Sequence, residues 1–434
     1  MQFIMDSLEV NEKGHLSMSK CDLCDIASEF GTPTYVLDEA TIRKNCRAYV
    51  ESIEKYYGGN GRAIYASKAL SCKYMYKLIN EENMGVDVVS GGEIFAALAA
   101  GFLAEKIYFH GNNKSYDELE YALKSNVGRI MVDNMTELKM IDEISGALNI
   151  CANVIIRITP GIDASTHKAV LTGLVDSKFG SSMETGVADE IVGAAVNCKN
   201  INICGFHCHI GSQIFDIAPF ELAAQKMMSF LSDMKEKYGI VCEELDLGGG
   251  FGVKYLPQDK PVDYGEYMKA VSVIVKREAA ERNLKLPFII VEPGRSIVAE
   301  AGLTLYTVGS VKEIPDIRTY IMVDGGMADN PRYILYEADY TAVSVDRPEA
   351  PRDRFVTIAG KCCESGDMIG ENMPLCEVNT GDKIAILSTG AYNYSMSSNY
   401  NRLPKPPIVV VADGKPKLVV RRETYADMLS CDIF

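Results

Sequence analysis

Positive charge is in short supply: lysine and arginine total 44 against 59 aspartates and glutamates, a formal net charge of −15. That balance opposes nonspecific attraction to nucleic acid or anionic membrane and leaves small molecules or proteins as partners. No apolar run approaches the roughly 20 residues needed to span a bilayer. The first twenty residues carry acids and no long apolar core, so no secretory signal is read. Thirteen cysteines are scattered without a disulfide spacing, and a reducing cytoplasm is the expected compartment. Low-complexity segments and short repeats are missing, and only five histidines occur. What remains is ordinary globular material: 434 residues, 47% hydrophobic and 24% charged. Two domains are expected, since one core rarely grows past roughly 250 to 300 residues.

From Ala63 onward, short apolar runs alternate with longer amphipathic stretches. The runs are Ala63 to Ser67, Val86 to Val89, Lys106 to Phe109, Arg129 to Val132, Asn153 to Ile158, Ile203 to His207, Glu244 to Leu247 and Phe288 to Val291. Eight strands with helical spacers, among them Gly92 to Ala100 and Ala218 to Lys237, predict an α/β fold, a (β/α)8 TIM barrel. Past Ala301 the segments Leu303 to Val311, Thr319 to Val323, Arg354 to Ala359, Lys383 to Leu387 and Pro407 to Val411 are β-branched and turn-bounded, predicting a second, mainly β C-terminal domain. The expected division is a barrel over 35–300, with 1–34 returning to join 301–434.

Glu292-Pro-Gly-Arg295 directly follows the eighth run, putting an acid and a base where a barrel keeps its chemistry. Lys68 follows the first run; apolar neighbours there would desolvate its ammonium, lower its pKa and make it a Schiff-base nucleophile, although an ordinary surface lysine explains any lysine taken alone. Gly248-Gly-Gly-Phe-Gly252 follows the seventh run, where backbone N–H groups can converge on a phosphate; by itself a flexible glycine loop explains it equally. Phe206-His-Cys-His-Ile-Gly-Ser-Gln213 ends the sixth run with His207 and His209 expected on opposite faces, so that only one reaches the barrel mouth. With Cys208 on the other face they supply at most two coherent ligands, and no metal site is expected. Asp87 is either a buried structural carboxylate or a polar neighbour of Lys68. Cys21-x-x-Cys24 precedes no βαβ unit and reads as core packing. In the second domain, Cys362-Cys363-Glu364-Ser-Gly-Asp367 sets a thiol beside acids, Asn330-Pro-Arg332 with Tyr336 offers a fork and a phenol, and Gly390-Ala-Tyr392 follows a strand-like run. A surface ion pair or a packed tyrosine explains any one of these alone.

Taken in order, Tyr65-Ala-Ser-Lys68, His209-Ile-Gly-Ser212, Gly248-Gly-Gly250, Glu292-Pro-Gly-Arg295, Cys363-Glu-Ser-Gly-Asp367 and Gly390-Ala-Tyr392 resemble the alanine-racemase-type, pyridoxal-phosphate-dependent decarboxylases. Asp87-Val-Val-Ser-Gly-Gly-Glu93, Thr172-Gly with Asp176-Ser-Lys-Phe-Gly180, Arg332 to Tyr336 and Tyr392 to Asn401 are closer to the diaminopimelate branch than to the ornithine or arginine branches. The resemblance runs nearly the whole length. It implies pyridoxal 5'-phosphate held by Lys68, with His209 packed on its ring, Asp87 nearby, and Ser212, Gly249, Gly250, Gly294, Arg295 and Tyr392 around the phosphate. Glu292 would pair with the ring nitrogen and keep it protonated, making a strong electron sink for the pair left when CO2 departs. Arg295, Arg332, Tyr336 and Tyr392 would clamp a carboxylate of meso-diaminopimelate, Glu364 its ammonium, and Cys363 would supply the proton that completes L-lysine. In this family Cys363 and Glu364 act in the partner subunit's site, implying an obligate homodimer with shared active sites. Two departures bear on the carry-over. Tyr333-Ile334 stand where the family usually has a proline and a small residue, which could reshape the distal pocket. Lys361-Cys362 replace a less polar lead-in, which could alter the thiol's pKa. A decarboxylase of another amino acid or polyamine precursor, a non-catalytic cofactor-binding regulator and a racemase are the alternatives. The segment from Pro160 to Gly180 is the candidate to close the site.

Overall fold

The computed structural model describes residues 3–163 and 176–433. The proposed closing segment and the Thr172-Gly pair therefore fall largely outside the described residues. The strands run β1 Leu8–Val10, β2 Leu16–Met18, β3 Cys21–Asp22, β4 Thr34–Asp38, β5 Gly61–Ala66, β6 Gly85–Val88, β7 Ile107–Phe109, β8 Arg129–Val132, β9 Ala152–Thr159, β10 Ser181–Ser182, β11 Ile201–His207, β12 Glu244–Asp246 and β13 Phe288–Val291. Eight of them, β5 to β9 and β11 to β13, pair in parallel and close through β13 with β5 and β8 with β9. All eight expected runs are barrel strands. Their apolar character follows from burial on both faces, inside against one another and outside against helices. Ile64, Tyr108, Met131, Ile155 and Ile290 pack as one buried cluster drawn from five of these strands.

The spacers are helices whose starts are written in the sequence. Gly91–Ala99 begins after Ser90, whose hydroxyl accepts from Glu93 N–H, and Met135–Leu148 begins after Asn134, which accepts from Glu137 N–H. Ala218–Tyr238 ends at Gly239 with φ of 68°, a left-handed position that suits glycine.

The second unit is a nine-stranded sheet built from β4 and from β14 Gly302–Ile314, β15 Arg318–Val323, β16 Ala342–Ser344, β17 Arg354–Ala359, β18 Met368–Leu375, β19 Lys383–Ile386, β20 Ile408–Ala412 and β21 Lys415–Val420. The chain near its N-terminus joins this sheet, β4 pairing antiparallel with β14 and parallel with β20. Against the expected division at 34/35 and 300/301, one compact unit comprises Met1–Asn45, Val253–Lys260 and Arg295–Phe434, and the barrel unit Cys46–Gly252 and Pro261–Gly294. The shift at the N-terminus has a direct cause: β4 spends its hydrogen bonds in the second sheet. Leu16, Leu23, Val36, Leu303, Leu305, Val409 and other apolar side chains form that unit's core, and Cys21 is buried among them. Cys24 is only partly buried and donates its thiol to Asp346.

Candidate active site

In the barrel unit, polar side chains collect at and just past the strand ends. Glu292 follows β13 and is 7% exposed; its Oε1 lies 3.0 Å from His110 Nε2 and 3.4 Å from His207 Nε2. Neither contact is aligned as a hydrogen bond, so Oε1 keeps an unmet acceptor in a buried place. Burial opposes ionisation of Glu292, but His110 and His207 outweigh it and hold the carboxyl well below the usual carboxylate range. Asp87 in β6 and Asp246 in β12 go the other way: burial raises both, and the Glu292 charge adds to each. The three carboxyls thus divide into one anion and two that resist ionisation. His110 and His207 stand edge to face, ring centroids 5.1 Å apart. Burial pushes His207 down to about 4, against the opposing pull of the Glu292 carboxylate.

His209 lies just past the end of β11. The expectation that His207 and His209 face opposite ways is corrected: residues two apart on an extended chain share a face, and both act on the same polar cluster. Gly249 N–H donates to His209 Nδ1 at 3.2 Å, which leaves the ring proton on Nε2. Desolvation and then the Lys68 ammonium push that imidazole well below its ordinary value. Lys68 itself sits in the one-turn 3-10 helix Ser67–Ala69, between two buried residues, with its own side chain exposed. Its charge bears on Asp87 and His209.

The glycine run after β12 answers first to packing. A Cβ on Gly248 would meet the Cys208 carbonyl at 2.5 Å, one on Gly249 would overlap the Glu292 carbonyl, and Gly250 has φ of 117° against the Gly211 carbonyl. Gly248 N–H donates to Asp246 Oδ1 at 2.9 Å and Glu292 N–H to the Gly248 carbonyl at 2.9 Å, so the run braces the strand end that carries Glu292. Ser212, shortly after β11, is partly exposed. Gly294 has no room for a side chain, since a Cβ would come 2.9 Å from Ala66 Cβ.

A second cluster belongs to the other unit. Arg295, 6% exposed, donates from Nη1 to Tyr255 Oη at 2.6 Å and lies over the Tyr392 ring at 4.7 Å. Arg332, 7% exposed, starts the short helix Arg332–Tyr336 and stacks over Tyr336 at 5.3 Å and Tyr392 at 5.5 Å. Its Nε has no aligned partner despite burial. Tyr392, at φ of 61°, thus has two buried guanidiniums close to its ring, and Tyr255 meets Tyr340 edge to face at 5.3 Å. Cys363 and Glu364 are exposed on the turn before β18, whereas the adjacent Cys362 is buried and its thiol pushed up to about 12 by burial and Asp367.

Residues 39–299 match the family described as pyridoxal-dependent decarboxylase, pyridoxal binding domain. The chain is 46% identical over 415 residues to diaminopimelate decarboxylase of Bacillus methanolicus, covering 96% of each. It is 44% identical to the Bacillus subtilis enzyme of that name over 99% of this chain and 98% of the other. This chain belongs to the diaminopimelate decarboxylase family. A crystal structure of diaminopimelate decarboxylase from M. jannaschii in complex with L-lysine superposes with a TM-score of 0.93 at 35% identity, covering 100% of this chain and 99% of that one. The cofactor of the family is pyridoxal phosphate, and the residues here fit it: a buried, ionised carboxylate with an unmet acceptor suits a protonated ring nitrogen. Among the residues gathered in these clusters, sequence reasoning passed over His110, Asp246, Tyr255 and Tyr340, and also Arg157, whose Nε lies 4.0 Å from Asp133 and whose charge bears on His209. His110 directly follows β7 and was open to the same strand-end argument that singled out Lys68 and Glu292. Arg157 lies inside an apolar run and gave no such signal.

Proposed function

We propose that the chain decarboxylates meso-2,6-diaminopimelate to L-lysine and CO2, the last step of lysine biosynthesis. The observation that carries the reading is the Glu292 cluster: a carboxylate held ionised by two histidines and left with an open acceptor. When bound, pyridoxal phosphate supplies covalent attachment for an amine and a ring that accepts electrons. Lys68 Nζ is assigned to that attachment. Glu292 holds a proton on the ring nitrogen, and His209, kept neutral and fixed by the Gly249 N–H, packs on the ring with Asp87 nearby. Ser212, Gly249, Gly250, Gly294, Arg295 and Tyr392 are assigned to the phosphate. For the substrate, Arg295, Arg332, Tyr336 and Tyr392 take a carboxylate and Glu364 an ammonium, a pairing that suits the amino-acid group at the far end of diaminopimelate. Ornithine would leave the arginines without a partner. Cys363 Sγ then gives a proton to the carbon that has lost CO2.

The proposal includes a homodimer in which Cys363 and Glu364 serve the partner's site; their exposure on this chain supports that assignment. It also includes a cytoplasmic location, supported by thirteen free cysteines. No helix among the described residues is long and apolar enough to cross a membrane. CO2 and lysine should appear in equal amounts from diaminopimelate with cofactor-loaded protein. Release from ornithine, arginine or lysine in preference to diaminopimelate would overturn the substrate assignment.

A further inference from the structure

The turn that carries Cys363 is held by a side chain to which no role has been given. Asp367 is 3% exposed, and its two carboxylate oxygens take amides from different segments: Oδ2 accepts from Cys362 N–H at 2.6 Å and Oδ1 from Met327 N–H at 2.5 Å. Gly326 and Gly360 flank the carboxylate so closely that a Cβ on either would overlap it. Backbone bonds reinforce the arrangement, Lys361 N–H to the Gly325 carbonyl and Gly360 N–H to the Asp367 carbonyl, each at 2.9 Å. The next amide along is taken from the other side: Cys363 N–H donates to Asn401 Oδ1 at 2.7 Å, from a residue held at φ of 51°. Two consecutive amides are thereby fixed by two oxygens from separate parts of the chain. Ile334 closes the remaining side, its Cδ1 lying 2.9 Å from where a Cβ of Gly366 would stand.

An exposed thiol on an unbraced turn would sample many positions, and proton transfer to carbon requires a set one. We propose that Asp367, together with Asn401, is a positioning residue that fixes Cys363 for proton delivery. This rests on the reading of Cys363 as the proton donor. In the step concerned, the bond from carbon to carboxylate breaks, CO2 leaves, and the electron pair left on carbon takes the proton of the Cys363 S–H. The resulting thiolate regains a proton from water. Asp367 takes no part in that exchange; it fixes where the sulfur is when the exchange occurs. The same carboxylate ties the turn to residues 325–329, which lead directly into Arg332, so the thiol and the substrate-binding helix share one anchor within the second unit.

The test uses full-length, cofactor-loaded protein with Asp367→Ala, Asp367→Asn and Asn401→Ala. Asp367→Ala should lower kcat by about tenfold to a hundredfold at unchanged KM, the effect of a displaced reacting group, with cofactor absorbance retained. Asp367→Asn, which keeps one acceptor oxygen, should fall between Asp367→Ala and the parent. Alkylation of Cys363 by iodoacetamide, followed by peptide mass spectrometry against the exposed Cys151 and Cys431, should quicken several-fold in Asp367→Ala and Asn401→Ala while the two reference thiols stay constant. If Asp367→Ala does not fold, Asn401→Ala, at the other bond, must give the same pair of changes. Unchanged kcat and unchanged Cys363 alkylation in the folded variants would overturn the proposal. Cys363→Ala separates this from failure of the underlying reading: full activity there removes Cys363 as donor, whatever the alkylation rates show about the clamp.

Discussion

In the proposed reaction, Glu292 is the residue on which the chemistry turns. Its carboxylate is ionised against the pull of burial because His110 and His207 face it. Glu292→Gln keeps the size and the packing but cannot hold a proton on a ring nitrogen. It should retain the cofactor, judged by visible absorbance, while kcat falls by about a hundredfold or more, the scale of a lost electrostatic contact in a water-poor site. Asp329 offers a different reading at the same scale. Burial raises its carboxyl to about 7, against hydrogen bonds from Gly326 N–H at 2.8 Å and Tyr306 Oη at 3.0 Å. The native state keeps a proton that the unfolded chain releases near 3.8, so this stabilisation is present below that pH and is lost as pH rises through about 7. The loss is on the order of 4 kcal/mol. Asp329→Asn should flatten that part of the pH dependence in urea unfolding; an unchanged slope would count against the assignment.

At the scale of elements, the barrel was legible because parallel strands buried on both faces leave short, nearly continuous apolar runs, and each of the eight was visible as one. β18 and β21 were not, since both carry exposed residues along their length and owe their strand state to pairing partners. The site divides in the same way. Lys68 and Glu292 could be found from their places at strand ends, but the 3-10 turn that carries Lys68 could not, because so short a turn leaves no periodic signature. Nor could the pairing of Lys114 with Glu137, which lie 23 residues apart in sequence. Lys114 Nζ donates to the Gly111 and Met131 carbonyls at 2.7 and 2.6 Å and to Glu137 at 2.7 Å, with both side chains almost wholly enclosed. It joins the loop after β7 to β8 and to the helix beyond. Glu137→Ala leaves a buried ammonium short of its counter-charge and should cost about 3–5 kcal/mol in denaturant unfolding.

For the whole molecule, the proposed sharing of active sites between two subunits makes a quantitative forecast. Lys68→Ala and Cys363→Ala should each be nearly inactive alone. Mixed in equal amounts after subunit exchange, half the dimers are heterodimers with one intact site, so activity should recover to about a quarter of the parent. No recovery despite verified exchange would place both residues in one subunit's site.

The cluster of Asp87, Asp246 and Glu292 has a thermodynamic signature of its own. Three acids and their neighbouring imidazoles hold fewer protons than they have places for, so the strand ends behave as a small buffer inside the protein. Seating a cationic ring beside Glu292 must redistribute those protons and exchange some with solvent. The calorimetric heat of cofactor binding should accordingly differ, at one pH, between phosphate and Tris, and the difference divided by their gap in ionisation enthalpy counts the protons moved.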